Sequence, residues 1–198
     1  MQQFYELMES YARADTDDAR QQIQDQVWDQ YGVEETIQII DMSGFSRLTQ
    51  KRGIVHYLSM VRHMQLVTQP IIIRYGGTVV KYEADNGFCR FPTVEKAVDA
   101  SIAINIAFDA MNMMTPDDLN IYISCGIDYG RFLLVDENDY FGVPVNVASK
   151  LSEDIGGPGD ILVTQTAMDL LPEGVAFKCE SKFYEISGFN IAAQRVIF

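Results

Sequence analysis

The stretch from Gly76 to Phe91 (Gly-Gly-Thr-Val-Val-Lys-Tyr-Glu-Ala-Asp-Asn-Gly-Phe-Cys-Arg-Phe) constrains the fold most strongly, because it reads as two short β-strands joined by a tight turn. Gly76-Gly77 stops the helical pattern before it, since glycine takes the positive φ that ends a helix at no steric cost. Asn86-Gly87 is the expected turn, because a type I′ hairpin needs positive φ at both central residues. Asp85 then lies at the turn, with Lys81 four residues upstream. Taken alone, that Asp could simply accept turn hydrogen bonds.

The segments around this hairpin set the fold class. Residues Gln2 to Gly32 are polar and acidic with apolar positions at helical spacing (Phe4, Leu7, Met8, Tyr11; Ile23, Val27, Trp28), which predicts two helices, the second capped within Asp15 to Asp18. Such an arm suits packing or a dimer contact. Glu35 to Ile40 is a β-branched strand ending at Asp41-Met42-Ser43-Gly44-Phe45-Ser46. A short helix is expected from Arg47 to Gln50 and a longer one from Ile54 to Tyr75, strained or split at Pro70. Val94 to Met114 is helical, with Ala97, Val98, Ile102, Ile106 and Ala107 expected on the apolar side. Asp117 to Asp128 alternates as a strand, with Arg131 to Val135 after Gly130 as its expected hairpin partner. A helix from Val143 to Asp154 carries Asn146 and Lys150 at i and i+4, on one face. Ile161 to Val163 is a strand, Thr164 caps a helix from Gln165 to Leu171, and Ala176 to Phe198 supplies two or three antiparallel strands. This order indicates an α+β domain with one central sheet and helices packed mainly on one face.

Composition narrows the function. With 28 acidic and 15 basic residues the chain carries a net charge of −13, which argues against a nucleic-acid backbone as the main partner. An anionic ligand would need a metal or a few placed Lys and Arg. The 198 residues suffice for a core without staples, and three scattered cysteines, Cys89, Cys125 and Cys179, are expected to be reduced. Neither a membrane span nor a signal peptide is legible, so a cytoplasmic location is expected.

Two carboxylates stand out as chemistry: Asp41 at a strand end and Asp85 at a turn. If their strands are neighbours, both point at one spot, and a carboxylate pair with little else is how Mg²⁺ is held beside phosphates. No P-loop or dinucleotide glycine pattern competes. His56 and His63, seven apart on one helix, read as surface or packing residues, and no Ser or Cys has a recognisable base.

Between Thr36 and Leu171 the residues resemble the class III adenylate and guanylate cyclase catalytic domains. Asp41 to Ser46 is similar to the family's Asp-Ile-x-Gly-Phe-Thr, and Gly76 to Phe91 to its Gly-Gly-x-x-x-Lys-x-x-Gly-Asp hairpin. Asp139-Tyr140-Phe141-Gly142-Val143-Pro144-Val145-Asn146-Val147-Ala148-Ser149-Lys150-Leu151 is similar to its Asp-x-x-Gly-x-x-Val-Asn-x-Ala-x-Arg-Leu. The resemblance implies a ferredoxin-like antiparallel sheet and a division into an N-terminal helical arm, 1–33, and a catalytic domain, 34–198. It implies a nucleotidyl cyclase that turns a nucleoside triphosphate into a 3′,5′-cyclic nucleotide and pyrophosphate with two Mg²⁺ or Mn²⁺.

By the same resemblance Asp41, Asp85 and the Met42 carbonyl match the metal ligands, and Gly44, Phe45 and Ser46 the turn whose amides hold the triphosphate. Lys81 and Asp139 match the pair that reads adenine, Asn146 the residue that orients the ribose, and Lys150 the arginine that stabilises the transition state. The family's site lies between two domains, so a homodimer with shared active sites is implied, with no nucleic acid and no membrane as partner. Two departures stand in the motifs: Lys150 replaces arginine, and Ala84 replaces the glycine before Asp85. They keep open a degenerate, non-catalytic nucleotide-binding domain. A pyrimidine cyclase (UTP or CTP) of bacterial antiphage signalling is the other alternative.

Overall fold

The computed structural model describes residues 1–43, 52–186 and 189–198. Two helices open the chain, α1 (Gln2–Arg13) and α2 (Asp17–Tyr31). Thr16 caps α2 by accepting from the Ala19 N–H at 3.2 Å, and Asp17 and Asp18 place negative charge on its positive first turn. Phe4, Val27 and Tyr31 are buried together with Val135 of the sheet, so the apolar stripe of the arm packs on its own domain.

The sheet is built from β1 (Gly32–Met42), α3 (Ile54–Arg74), β2 (Thr78–Glu83), β3 (Asn86–Phe91), α4 (Val94–Asn112) and β4 (Ile123–Val135). This is a βαββαβ unit whose strands lie in the order β2-β3-β1-β4, every neighbouring pair antiparallel, as in the ferredoxin-like fold. Beyond β4 the sheet continues through β6 (Ile161–Thr164), β8 (Phe189–Ile197) and β7 (Lys178–Ile186), and β5 (Asp139–Phe141) pairs with the far end of β4. The β4–β6 pair is parallel, a departure from a wholly antiparallel sheet.

Alternation along β1 separates two cores. Ile40 belongs to the larger one, formed with α3 and α4, while Ile37 and Ile39 point to the other face, under α5 (Val143–Ser149). The period of two therefore puts Asp41 on the α5 face. Gln38 faces α4, where its amide donates to Ser101 Oγ at 2.6 Å and the Ala97 carbonyl at 3.3 Å. That polar contact explains why the buried stripe of α4 runs through Ser101, Ile104, Asn105 and Phe108 and leaves Ile106 exposed, against the sequence expectation. In α3, Pro70 is accommodated without splitting the helix. The helix then closes at Gly76 (φ 81), with Gly76 and Gly77 N–H donating to Ile73 and Ile72 carbonyls.

Two turns differ from the sequence reading. Glu83 pairs with Asn86, so Ala84 and Asp85 form the β2–β3 turn and Asn86-Gly87 begins β3. The reason is that Asn86 and Gly87 also pair with Asp41 and Ile40 of β1, and two ladders hold them extended. The positive φ falls instead on Ala84 (φ 51), where the family motif carries glycine. Ala84→Gly is therefore expected to stabilise the fold by up to about 1 kcal/mol in urea unfolding, strain relief exceeding the added freedom of the unfolded chain.

The second difference is that Arg131 to Val135 is not a hairpin partner. It continues β4 through Gly130, whose missing Cβ admits the Pro144 ring at 2.9 Å from where that atom would stand, so this glycine serves close approach and not a turn. The strand also starts at Ile123, later than expected, because the Asn112 side chain takes both backbone groups of Ile121 at 2.9 Å. The true partner of β4 across a turn is β5, through 136–138. Among the described residues no helix is long and apolar enough to cross a membrane.

Candidate active site

Asp41 lies one residue from the end of β1, opposite Asn86 of β3 and Ser124 of β4. The β2–β3 turn thus delivers Asp85 beside it, and the two carboxylates converge as the strand-neighbour condition requires. Their proximity is felt in Asp41, whose carboxyl is pushed up to about 7 by burial first and then by the negative charges of Asp85 and Glu153. Glu153 was not anticipated from sequence. It follows α5 in a π-helical turn (Lys150–Ile155), and its Oε1 accepts from Asn86 Nδ2 at 3.2 Å. Burial, then Asp154, Asp85 and Glu83, raise its own pKa.

The sign of this linkage is definite. A carboxyl held at about 7 in the folded chain and near 3.8 unfolded gives stability that is complete below 3.8 and lost as pH rises through 7. Asp41→Asn is therefore expected to raise the thermal midpoint of the metal-free protein at pH 8 and to blunt stabilisation by Mn²⁺. Equal midpoints for variant and wild type at pH 8 would contradict the burden placed on Asp41.

The donor set suits a hard divalent cation. Among the described residues, Ser43 Oγ and Asn86 Oδ1, beside Asp41 in the chain and in the ladder, are buried oxygens that find no hydrogen-bond partner. Among the described residues no three His, Cys, Asp or Glu side chains converge in metal-ligand fashion. Two carboxylates still fit Mg²⁺, which keeps waters and takes its remaining oxygens from substrate phosphates. Met42 buries its side chain in the core, at 4% exposure, so only its backbone can serve the site. Gly44, Phe45 and Ser46 lie outside the described residues.

Lys81 and Asp139, 58 positions apart, meet: Nζ lies 3.0 Å from Oδ1. The same ammonium lies 2.9 Å from Glu83 Oε2 and 4.9 Å above the Phe88 ring centre. Burial pulls the Lys81 pKa down, but hydrogen bonds to Glu83 and Asp139 outweigh it and hold the lysine above its ordinary value. Asp139 Oδ1 also accepts the Tyr140 N–H at 2.9 Å. Glu83 was missed, although it stands two residues from Lys81 and so on the same strand face.

Asn146 and Lys150 sit one turn apart on α5 and its π-helical continuation. Val145 and Ala148 bury the inner side of α5, pressed so close to β4 that a Cβ on Gly126 would stand 2.0 Å from the Ala148 carbonyl. Asn146 is exposed, and Lys150 is half-buried with a loose contact to Asp154 at 3.8 Å. A π turn at this point fits the habit of such turns to mark functional sites. His56 and His63 take packing roles, His56 Nε2 meeting the Asp118 carbonyl at 3.0 Å.

No family model matches the sequence. A putative adenylate cyclase 3 of Rhizobium meliloti (strain 1021) is 30% identical over 125 residues, covering 63% of this chain and 21% of that protein. The chain spans a fifth to a third of the length of the curated relatives it matches. Among solved structures, an adenylate/guanylate cyclase/hydrolase from Silicibacter pomeroyi superposes with a TM-score of 0.70 at 27% identity, covering 84% of this chain and 97% of that one. The guanylyl cyclase Cya2 shares the fold with a TM-score of 0.72 at 16% identity, over 83% and 92% of the two chains.

Proposed function

We propose that this chain, similar in fold and in sequence to the class III adenylate/guanylate cyclase catalytic domains, cyclises a nucleoside triphosphate, ATP in preference, at sites shared by two copies. The observation that carries this reading is the convergence of Asp41, at the end of β1, with Asp85 in the β2–β3 turn, whose negative charge adds to burial in disfavouring a bare Asp41 carboxylate. In the reaction the ribose 3′-oxygen attacks the α-phosphorus, the bond to the β-phosphoryl oxygen breaks, pyrophosphate leaves, and the hydroxyl proton passes to solvent. Asp41, Asp85 and the Met42 carbonyl would hold two Mg²⁺ or Mn²⁺, which when bound ease loss of that proton and offset phosphate charge.

The remaining residues bind and orient. Lys81 donates to a ring nitrogen of the base and Asp139 accepts from its exocyclic amine. Asn146 orients the ribose, and Lys150 places positive charge against the phosphoryl oxygens. Lys81, Asp139, Asn146 and Lys150 of one copy complete Asp41 and Asp85 of the other.

Lysine at 150 offers a point charge where arginine would offer a planar fork, and Asp154 competes for it. Lys150→Arg is therefore expected to raise kcat about 10-fold or more, part of the roughly 10²–10³-fold that one electrostatic contact to the transition state is worth. An unchanged kcat would remove Lys150 from that role. The test of the function is incubation of pure protein with each of the four nucleoside triphosphates and Mn²⁺. The expected products are cyclic nucleotide and pyrophosphate in equal amounts, with ATP the best substrate. A guanine or uracil carbonyl facing Asp139 is left repelled and unpaired, a mismatch of roughly 1–3 kcal/mol. Lys81→Ala is expected to erode the preference. A preference for UTP or CTP would overturn the adenine assignment, and no product from any of the four would overturn the cyclase reading.

A further inference from the structure

We propose that Arg90 is a positioning residue, whose guanidinium clamps the turn presenting Asp139 and thereby sets how selectively a nucleobase is read. The inference rests on the reading above, in which Lys81 and Asp139 grip the base. Arg90 stands on β3, half-buried, and reaches two other elements at once. Its Nη1 donates to both carboxylate oxygens of Glu35 on β1 at 3.1 Å each, and its Nη2 donates to Glu137 Oε2 at 2.6 Å.

Glu137 is held in an unfavourable backbone state. It and Asp136 adopt φ of 58° and 50° at the centre of the β4–β5 turn, which the Asn138 N–H closes onto the Val135 carbonyl at 3.1 Å. Left-handed backbone suits Asp better than Glu, and neither residue is glycine, so the conformation persists because its surroundings impose it. The Arg90–Glu137 bond anchors Glu137 from outside the turn, beside the ion pair of Asp136 with the Met1 ammonium. Two residues further on, Asp139 accepts from Lys81.

Release of the turn would not be corrected by Lys81 itself. Glu83, at 2.9 Å, is an alternative acceptor for the same ammonium, so Lys81 can remain paired while Asp139 drifts. A planar fork that grips one carboxylate on β1 and another in the β4–β5 turn is a task for arginine and not for lysine. Arg90 and Glu137 therefore act on selectivity through Asp139 and touch neither Asp41 nor Asp85.

The test compares wild type with Glu137→Gln and Arg90→Lys, by hydrogen exchange of the Asn138 and Tyr140 amides and by kcat/KM for ATP and GTP. In Glu137→Gln, exchange at Asn138 is expected to accelerate about tenfold or more as the turn opens more often. The ATP-over-GTP ratio is expected to fall about tenfold, chiefly through KM, with the Mn²⁺ dependence unchanged. Arg90→Lys, which keeps the charge and loses the fork, is expected to lie between. Unchanged exchange, an unchanged ratio in an enzyme whose wild type discriminates, or an equal loss on every nucleotide with a lowered thermal midpoint would each overturn the inference. A wild type that cyclises nothing would overturn the functional reading, and the exchange measurement would still decide the clamp.

Discussion

Asp41→Ala and Asp85→Ala are each expected to lower cyclic-nucleotide formation by about 10²–10³-fold or more while leaving the fold intact. In the proposed site each change removes a charged oxygen ligand from the place where triphosphate charge would be offset. The fold is expected to survive for reasons specific to each position. The Asp41 carboxyl is a burden on the metal-free chain, pushed up to about 7 by burial and by its acidic neighbours, so removing it relieves repulsion. Asp85 sits in a two-residue turn whose strands are fixed by ladders on both sides of β3, so truncating its side chain leaves the pairing of Asn86 and Gly87 with β1 in place. Activity with Mg²⁺ and Mn²⁺ and the far-ultraviolet circular dichroism of both variants check this. Wild-type turnover in either variant would mean that the two carboxylates do not hold the catalytic ions.

The parts of this architecture that periodicity controls were legible in the chain. The helices α1, α2, α3 and α4, the caps at Thr16 and Thr164, and the paired strands at the C-terminus follow from spacing and local hydrogen bonding. Turns failed where tertiary pairing overruled local preference. Asn86-Gly87 has the chemistry of a hairpin turn, yet β1 claims both residues, and the strain moves to Ala84. Gly130 looks like a turn and is a point of contact with Pro144.

The candidate site was legible in a different way. Asp41 and Asp85 could be flagged by position, but only the β1–β3 pairing brings them together. Lys81 and Asp139 meet across 58 residues, a distance no periodicity bridges, and they were singled out through family resemblance alone. Glu153 and the Arg90–Glu137 contact left no signal, because each depends on where a turn or helix end comes to rest.

The most direct measurement mixes two inactive variants, Asp85→Ala and Lys150→Ala, and follows cyclic nucleotide and pyrophosphate after subunit exchange is verified with labelled chains. Each variant alone is expected to be down by about 10²–10³-fold, since one lacks a metal ligand and the other the positive charge at the phosphoryl group. On the proposed arrangement Asp85 of one copy and Lys150 of its partner belong to the same site, so in a mixed dimer one site receives both defects and the other none. Random pairing of equal amounts makes about half of all dimers mixed, with one intact site each, so activity is expected to return to roughly a quarter of the wild-type value. Recovery to that level, with the two products in equal amounts, is the result this account predicts. Activity that stays at the level of the separate variants, in a preparation shown to have exchanged, would contradict a cyclase site shared between two copies of this chain.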